Sequence, residues 1–333
     1  MREMITRMLK FAAAAIFAMT SASAFAADKV IYQLDWLPSG EETFPYVALK
    51  EGYFAANNLD VEIRIGRGTT DVLAKMAAGN AQFGSGGLGA LMQAAAQGPM
   101  PVKAVLSIFN EQPDAIFTYE GSGIKTIKDL AGKTVATATF TSSNALWPVV
   151  ASLNGLDISK VRLIKADPTA TAAMVANGKA DALINWVTSG GGIESVFKEA
   201  GKKMVVLRWS NFGLDGYGLS LFATDAEIAN HPDIVKRFVA ACEKAIQFSL
   251  DHPEAAAKDL KAVVPMVDLA SAIVEVNTTI PVTRNEVSQK YGMGTFDPEL
   301  VKHTWRWIAK SQSYPLDKLD PEKVVVRSFV PGK

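Results

Sequence analysis

A few stretches of this chain carry side chains whose type and spacing could do chemistry. Gly84-Ser85-Gly86-Gly87-Leu88-Gly89 fits the pattern G-x-G-x-x-G. With an acid roughly 20 residues on, here Glu111, that pattern can seat a dinucleotide pyrophosphate on a helix N-terminus. The strand before it is very short, so a dinucleotide-dependent enzyme is the weakest of the functions considered. The three histidines, His231, His252 and His303, are scattered without H-E-x-x-H or Cys/His spacing, and no metal site is expected. No G-x-S-x-G elbow occurs, and the single cysteine, Cys242, can form no internal disulfide and reads as a small buried hydrophobe.

What remains points to binding. Asp35-Trp36 and Asn185-Trp186 each place a hydrogen-bonding side chain beside an indole at the end of an apolar run. An indole there offers a flat face for a planar ligand, and Asp35 can accept hydrogen bonds from ring or amino N–H groups; the alternatives are core packing for the rings and a turn role for the acid. Thr141 and Ser142, before a helix, and Ser85-Gly86, before another, suit a carboxylate, sulfonate or phosphate, and serve equally as ordinary helix caps. Arg67, between two glycines, could pair with an anion or sit in solvent. Asp215 and Tyr217 could reach a cleft or belong to an Asp-Gly turn. Glu41 and Glu42 read as first-turn acids complementing a helix dipole, with ligand contact by Glu41 as the alternative.

The elements that must position these residues alternate strand and helix. Strands are expected at 30–34, 60–65, 81–84 and 102–109, with helices at 43–57, 70–78 and 88–97 between them. A second series follows: a short helix within 124–133, strands at 134–138, 161–165, 180–185 and 204–207, and helices at 142/143–154, 169–177 and 193–200. Repeated units of this length favour an α/β fold with a mainly parallel sheet covered by helices. Gly79-Asn80-Ala81-Gln82-Phe83 and Gly178-Lys179-Ala180-Asp181-Ala182 echo each other, each after a Met-bearing helix and each followed by a glycine cluster. They suggest two similar lobes. From Asp225 onward the pattern is helical, at about 231–250, from 251, 268–279 and 297–310, a tail expected to pack on the first lobe. The segment 324–326 has no assigned place.

The N-terminus reads as an export signal: Arg2, Arg7 and Lys10, a short apolar run, then Ala24-Phe25-Ala26 as an A-x-A cleavage pattern. The apolar run is shorter than the roughly 20 residues a membrane span needs. No cysteine lies at the cleavage position for a lipid anchor. Loss of residues 1–26 removes three basic and one acidic residue from the 34 of each, leaving a net charge of −2 and no basic excess for nucleic acid. A soluble periplasmic protein is expected.

Leu34-Asp35-Trp36, the run Ala48-Leu49-Lys50-Glu51-Gly52-Tyr53-Phe54 and Leu59-Asp60-Val61-Glu62-Ile63 resemble the opening of the solute-binding proteins of ABC importers for thiamine-pyrimidine precursors, taurine, sulfonates and nitrate. The segments 78–84, 127–133 and 178–182 match further pieces in the same order. The resemblance implies a two-lobed periplasmic binding protein fold (type II) joined by a two-strand hinge, with solute in the cleft. Lobe 1 would comprise 27–120 and 221–333, including the helical tail, and lobe 2 the insertion 121–220, with crossings near Gly121 and Gly218. It also implies an ABC permease and ATPase as partners, a monomer, no cofactor and no catalysis. In the pyrimidine-precursor branch a Trp after the first strand contacts the ring, as Trp36 would; Trp186 becomes a candidate second wall. Family members often follow the aromatic of the second lobe with Glu-Pro, where this chain has Val187-Thr188. Certain eukaryotic relatives make thiamine pyrimidine with a first-lobe histidine, and this chain has none before His231. The expected solute is a small planar nitrogen heterocycle, pyrimidine-like; the alternative is a sulfonate such as taurine or another small anion.

Overall fold

The computed structural model describes residues 26–330. The expected export signal, Ala26 apart, lies outside the described residues. Ten strands form two five-stranded mixed sheets. In the first, β1 (Asp28–Gln33), β2 (Leu59–Arg64), β3 (Phe83–Gly87), β4 (Val102–Ser107) and β10 (Leu219–Thr224) lie in the order β2-β1-β3-β10-β4. In the second, β5 (Asp114–Tyr119), β6 (Thr134–Ala138), β7 (Arg162–Ala166), β8 (Ala182–Trp186) and β9 (Met204–Arg208) lie in the order β7-β6-β8-β5-β9. The two orders correspond strand for strand. The segments that echo each other in sequence lead into β3 and β8, the middle strand of each sheet. Each sheet has one antiparallel member, β10 in the first and β5 in the second.

Local sequence accounts for these elements. LDVEIR alternates strictly, burying Leu59 and Val61 while Asp60 and Glu62 face solvent, and it pairs in parallel register with β1, Val30 opposite Val61. The first core closes where the Pro232–Asp251 helix lays Phe238 over the sheet. Its ring stacks 4.0 Å from Phe83 and 5.5 Å from Phe54, with Tyr32 at 5.7 Å. Proline at the first helical position starts this helix and those at Pro253–Val263 and Pro298–Gln312.

Several elements differ from the sequence reading. The helix expected over 43–57 is two, Phe44–Lys50 and Tyr53–Ala56, because Gly52 adopts the left-handed conformation between them. The strand Asp114–Tyr119 was not anticipated. It moves the first crossing between sheets back to 108–113, and Gly121 is an exposed turn beyond that strand. The return crossing occupies 209–218. The two crossings run side by side: Ile108 and Phe109 N–H both donate to Leu219 O at 2.9 Å, and Gly218 N–H donates to Phe109 O at 3.0 Å. Residues 324–326 form no strand but fasten to β4, Val326 N–H donating to Ala104 O at 2.8 Å.

The helical tail does more than cover the first lobe. The Leu269–Thr283 helix touches both lobes, and glycine permits the approach on each side. A side chain at Gly40 would collide with Ala272 and Glu275, and one at Gly191 would come 2.5 Å from Ser271 O. Farther on, Ser311 on the Pro298–Gln312 helix donates to Ala145 O of the second lobe. Among the described residues no helix is long and apolar enough to cross a membrane.

Candidate functional site

The carboxyl ends of β1 and β8 bring the two acid-or-amide/indole pairs toward one boundary, as expected where ligands sit outside strand ends. A cavity of ≈ 370 Å³ opens there between the lobes. Trp36, Leu37, Pro38 and Ser39 form its first-lobe wall, and Asn185, Ile193 and the start of the Pro168–Ala176 helix face them. Glu275 and Asp268 from the tail close one side. Trp36 is half-buried, with surface left to offer. Trp186 does not line this cavity. It is buried, edge-on to Phe109 at 6.0 Å and beside Gly87. The structure therefore gives one indole wall rather than the expected pair. Asn185, half-buried at the cavity, accepts the Trp186 N–H at 2.8 Å through Oδ1.

Asp35 lies deeper. Thr69 Oγ1 donates to its carboxylate at 2.8 Å and in turn accepts Gly87 N–H at 3.0 Å, while Asp35 N–H donates to Ser85 Oγ at 3.1 Å. This chain of bonds ties the ends of β1 and β3 to the Thr69–Ala77 helix. Burial pushes the Asp35 carboxyl up to about 7, against the Thr69 hydrogen bond and with help from the charge of Asp114. The glycine cluster around Ser85 is explained by close packing. A side chain at Gly86 would strike Thr69 and Phe222, and the Leu88 N–H that a phosphate would need already donates to Gly218 O at 3.0 Å. No dinucleotide cradle is formed.

Sequence reasoning missed most of the acids at this boundary. Glu41 and Glu42 do stand in a first helical turn, Gly40–Glu42, but both are buried there. Glu41 accepts hydrogen bonds from Ser189 Oγ at 2.7 Å and from Thr188 Oγ1, both on the second lobe. Glu275 accepts Gly40 N–H at 2.7 Å with one oxygen and Gly192 N–H at 2.8 Å with the other, one donor from each lobe. Asp114 opens β5 opposite Trp186 and receives Gln112 Nε2. Burial pushes Glu41 and Glu275 up to about 7 and Asp114 to about 6, and holds Glu42 well above its ordinary value. For two of them a signal is present in the sequence: Asp114 stands directly before the apolar run AIFTY, and Glu275 is the single carboxylate within LASAIVEVNTTIPVT.

Other candidates lie elsewhere. Thr141 and Ser142 line a separate polar cavity of ≈ 250 Å³ with Thr70, Asn144, Lys165 and Gln312. Beside it the lobes join, Phe140 O accepting Thr70 N–H at 3.1 Å and Thr70 Oγ1 at 3.0 Å. Arg67 is exposed, near enough to Asp167 of the second lobe to favour its charged form. Asp215 and Tyr217 turn toward the Pro298–Gln312 helix rather than the cleft. Asp215 accepts Trp307 Nε1 at 2.8 Å and meets His303 Nδ1 at 3.2 Å. The Tyr217 hydroxyl accepts Asp297 N–H at 2.7 Å and donates to Thr295 O at 3.2 Å, so its proton is committed within the fold, and the side chain is buried. Among the described residues no group of histidine, cysteine and acidic side chains is arranged to hold a metal.

The family model described as NMT1/THI5 like matches residues 40–256. Among curated proteins, the riboflavin-binding protein RibY of Chloroflexus aurantiacus is 24% identical over 91% of this chain and 86% of its own length. The formylaminopyrimidine-binding protein of Halalkalibacterium halodurans is 24% identical over 69% of each. A 4-amino-5-hydroxymethyl-2-methylpyrimidine phosphate synthase of Schizosaccharomyces pombe is 25% identical over 68% of this chain and 67% of its own. In structure, the alkanesulfonate-binding protein SsuA of Xanthomonas axonopodis pv. citri, bound to MOPS, superposes with a TM-score of 0.72 at 15% identity, covering 92% of this chain and 100% of that one. At that identity the likeness establishes the shared fold.

Proposed function

Because this chain belongs to the NMT1/THI5-like family, we propose that it is the periplasmic solute-binding component of an ABC import system, holding a small planar nitrogen heterocycle between its lobes. One observation carries the choice of solute. The cavity presents the Trp36 indole beside Asp268, whose carboxylate is held in its charged form by Ser271, and its lining includes no lysine, arginine or histidine. A flat apolar face flanked by acceptors suits an aromatic ring with N–H edges, and stacking on an indole is worth roughly 1–3 kcal/mol on the scale known for bases. A sulfonate or other small anion would meet like charge there. The binding-protein names of two relatives point the same way. The synthase relatives raise the question of chemistry, and the absence of any histidine before His231 supports binding without it.

Function follows from the hinge. The paired crossings at 108–113 and 209–218 let the lobes rotate as bodies, and Glu41 and Glu275 make contacts across the boundary that only the closed form provides. A solute that adds contacts to both walls shifts the population toward closure, and the closed form is what a membrane permease and its ATPase would receive. Residues 1–26 would direct export, and lobe 2 would be the insertion between the crossings. Calorimetric titration with aminopyrimidines and with taurine tests the reading. Binding of a pyrimidine with taurine inert supports it; binding of taurine with every heterocycle inert overturns it.

A further inference from the structure

One side chain holds both walls of the solute cavity at once. Glu275 is 5% exposed and stands midway along the Leu269–Thr283 helix. Its Oε2 accepts Gly40 N–H at 2.7 Å and its Oε1 accepts Gly192 N–H at 2.8 Å. Gly40 follows directly on the Trp36–Ser39 wall of the first lobe, and Gly192 lies in the facing wall beside Ile193. The backbone is bare where the helix reaches it. A side chain at Gly40 would come 2.4 Å from Glu275 Cβ, and one at Gly191 would come 3.1 Å from Glu275 Cγ as well as striking Ser271 O.

The far end of the same helix is fastened to the hinge. Asn110, buried in the first crossing, donates its N–H to Val282 O at 2.8 Å and its Nδ2–H to Thr283 O at 2.9 Å; its Oδ1 accepts Ser107 Oγ–H at 2.8 Å. Both carbonyls belong to the last turn, where the helix itself supplies no donor. From Glu275 to that anchored end the helix rises about 12 Å. Rotating the second lobe by about 5° around the anchor would move Gly192 by about 1 Å, which takes its bond to Glu275 out of hydrogen-bonding range. The Gly192 bond therefore forms only at the end of closure.

We propose that Glu275 is the positioning residue of solute capture: without bonding the solute, it clasps the Trp36 wall to the second-lobe wall from a helix fixed at the hinge, and so sets how slowly the solute leaves. This rests on the reading of that cavity as the solute site and adds the residue that governs release from it. Each oxygen of Glu275 is engaged by a backbone donor, which leaves the polar edge of the solute to Asp268 and Asn185. Association begins with the lobes apart, before the Gly192 bond exists, so the clasp acts on dissociation.

Stopped-flow tryptophan fluorescence with 4-aminopyrimidine as the probe tests this on the wild type, Glu275→Ala, Gly191→Ala and the double variant. Gly191→Ala blocks the approach from the second lobe and leaves Glu275 in place, so it separates a clasp from a direct solute contact. Each single variant should release the probe about tenfold faster than wild type, with association within about twofold. The double variant should release it no faster than the faster single variant, because both substitutions break one contact. Dissociation at the wild-type rate in Gly191→Ala, or effects that add in the double variant, overturns the proposal and leaves the heterocycle reading standing. Should 4-aminopyrimidine not bind the wild type, the heterocycle reading fails by itself and small-angle scattering of the ligand-free proteins decides the clasp. A larger radius of gyration in both single variants than in wild type upholds it; equal radii overturn it.

Discussion

Replacing Glu41 by Gln should make the protein more stable at pH 8 and leave its stability at pH 5 almost unchanged. The Glu41 carboxyl is pushed from 4.5 up to about 7, first by burial and then by the nearby charge of Asp35, against the hydrogen bonds from Thr188 and Ser189. The native state therefore holds its proton more tightly than the unfolded chain does. Below pH 4.5 both states are protonated and nothing is lost. Between 4.5 and about 7 the unfolded chain sheds its proton first, so native stability declines as pH rises. At about 1.4 kcal/mol per pH unit, Glu41 alone removes about 3 kcal/mol by pH 8. Glutamine keeps an acceptor for Ser189 and offers a donor to Thr188, with no charge to desolvate. Urea denaturation at pH 5 and pH 8 reads the effect directly: the stability difference between variant and wild type should grow by about 3 kcal/mol over that interval. Because both hydrogen bonds cross between lobes, small-angle scattering at pH 8 should also find the variant at least as compact. An unchanged pH dependence, or a variant less stable than wild type at pH 8, would refute the reasoning.

Three further outcomes follow from the same geometry. Trp36→Ala should weaken binding of a planar heterocycle by tenfold or more in calorimetry, about 1.4 kcal/mol or above, while thermal unfolding moves little because the ring is only half-buried. Gly68→Ala should hinder closure, since Gly68 has φ +127° and a side chain there would collide with the Phe140 carbonyl of the second lobe; scattering with saturating ligand should show a larger radius of gyration than wild type. Asp215→Ala should lower stability by about 1 kcal/mol through loss of the Trp307 and His303 contacts, and leave solute affinity unchanged.

Elements with strong local signals were legible in the sequence. The Leu88–Gln97 helix and the strand Thr134–Ala138 fall where apolar spacing and the flanking glycines put them. So does the pairing of the two lobes, since a faint echo between residues 79–83 and 178–182 marks equivalent strands. The strand Asp114–Tyr119 was opaque for a physical reason: it opens with a charged residue, and its place beside β8 and β9 is set by partners far along the chain. The same holds for the site. Trp36 could be placed at a strand end from its neighbours alone. The burial of Glu41, Glu42 and Glu275 depends on a second lobe and a tail helix converging on them, which no local pattern encodes. Asp215 and Tyr217 show the converse, residues of promising type in a turn that instead anchors the Pro298–Gln312 helix.

Native mass spectrometry of the protein isolated from the cells that make it bears most directly on the central idea. The account predicts one small nitrogen heterocycle per chain, non-covalently held, chemically unaltered on release and displaced from the Trp36→Ala variant. A bound sulfonate, a covalent adduct, or a heterocycle retained in full by that variant would contradict it.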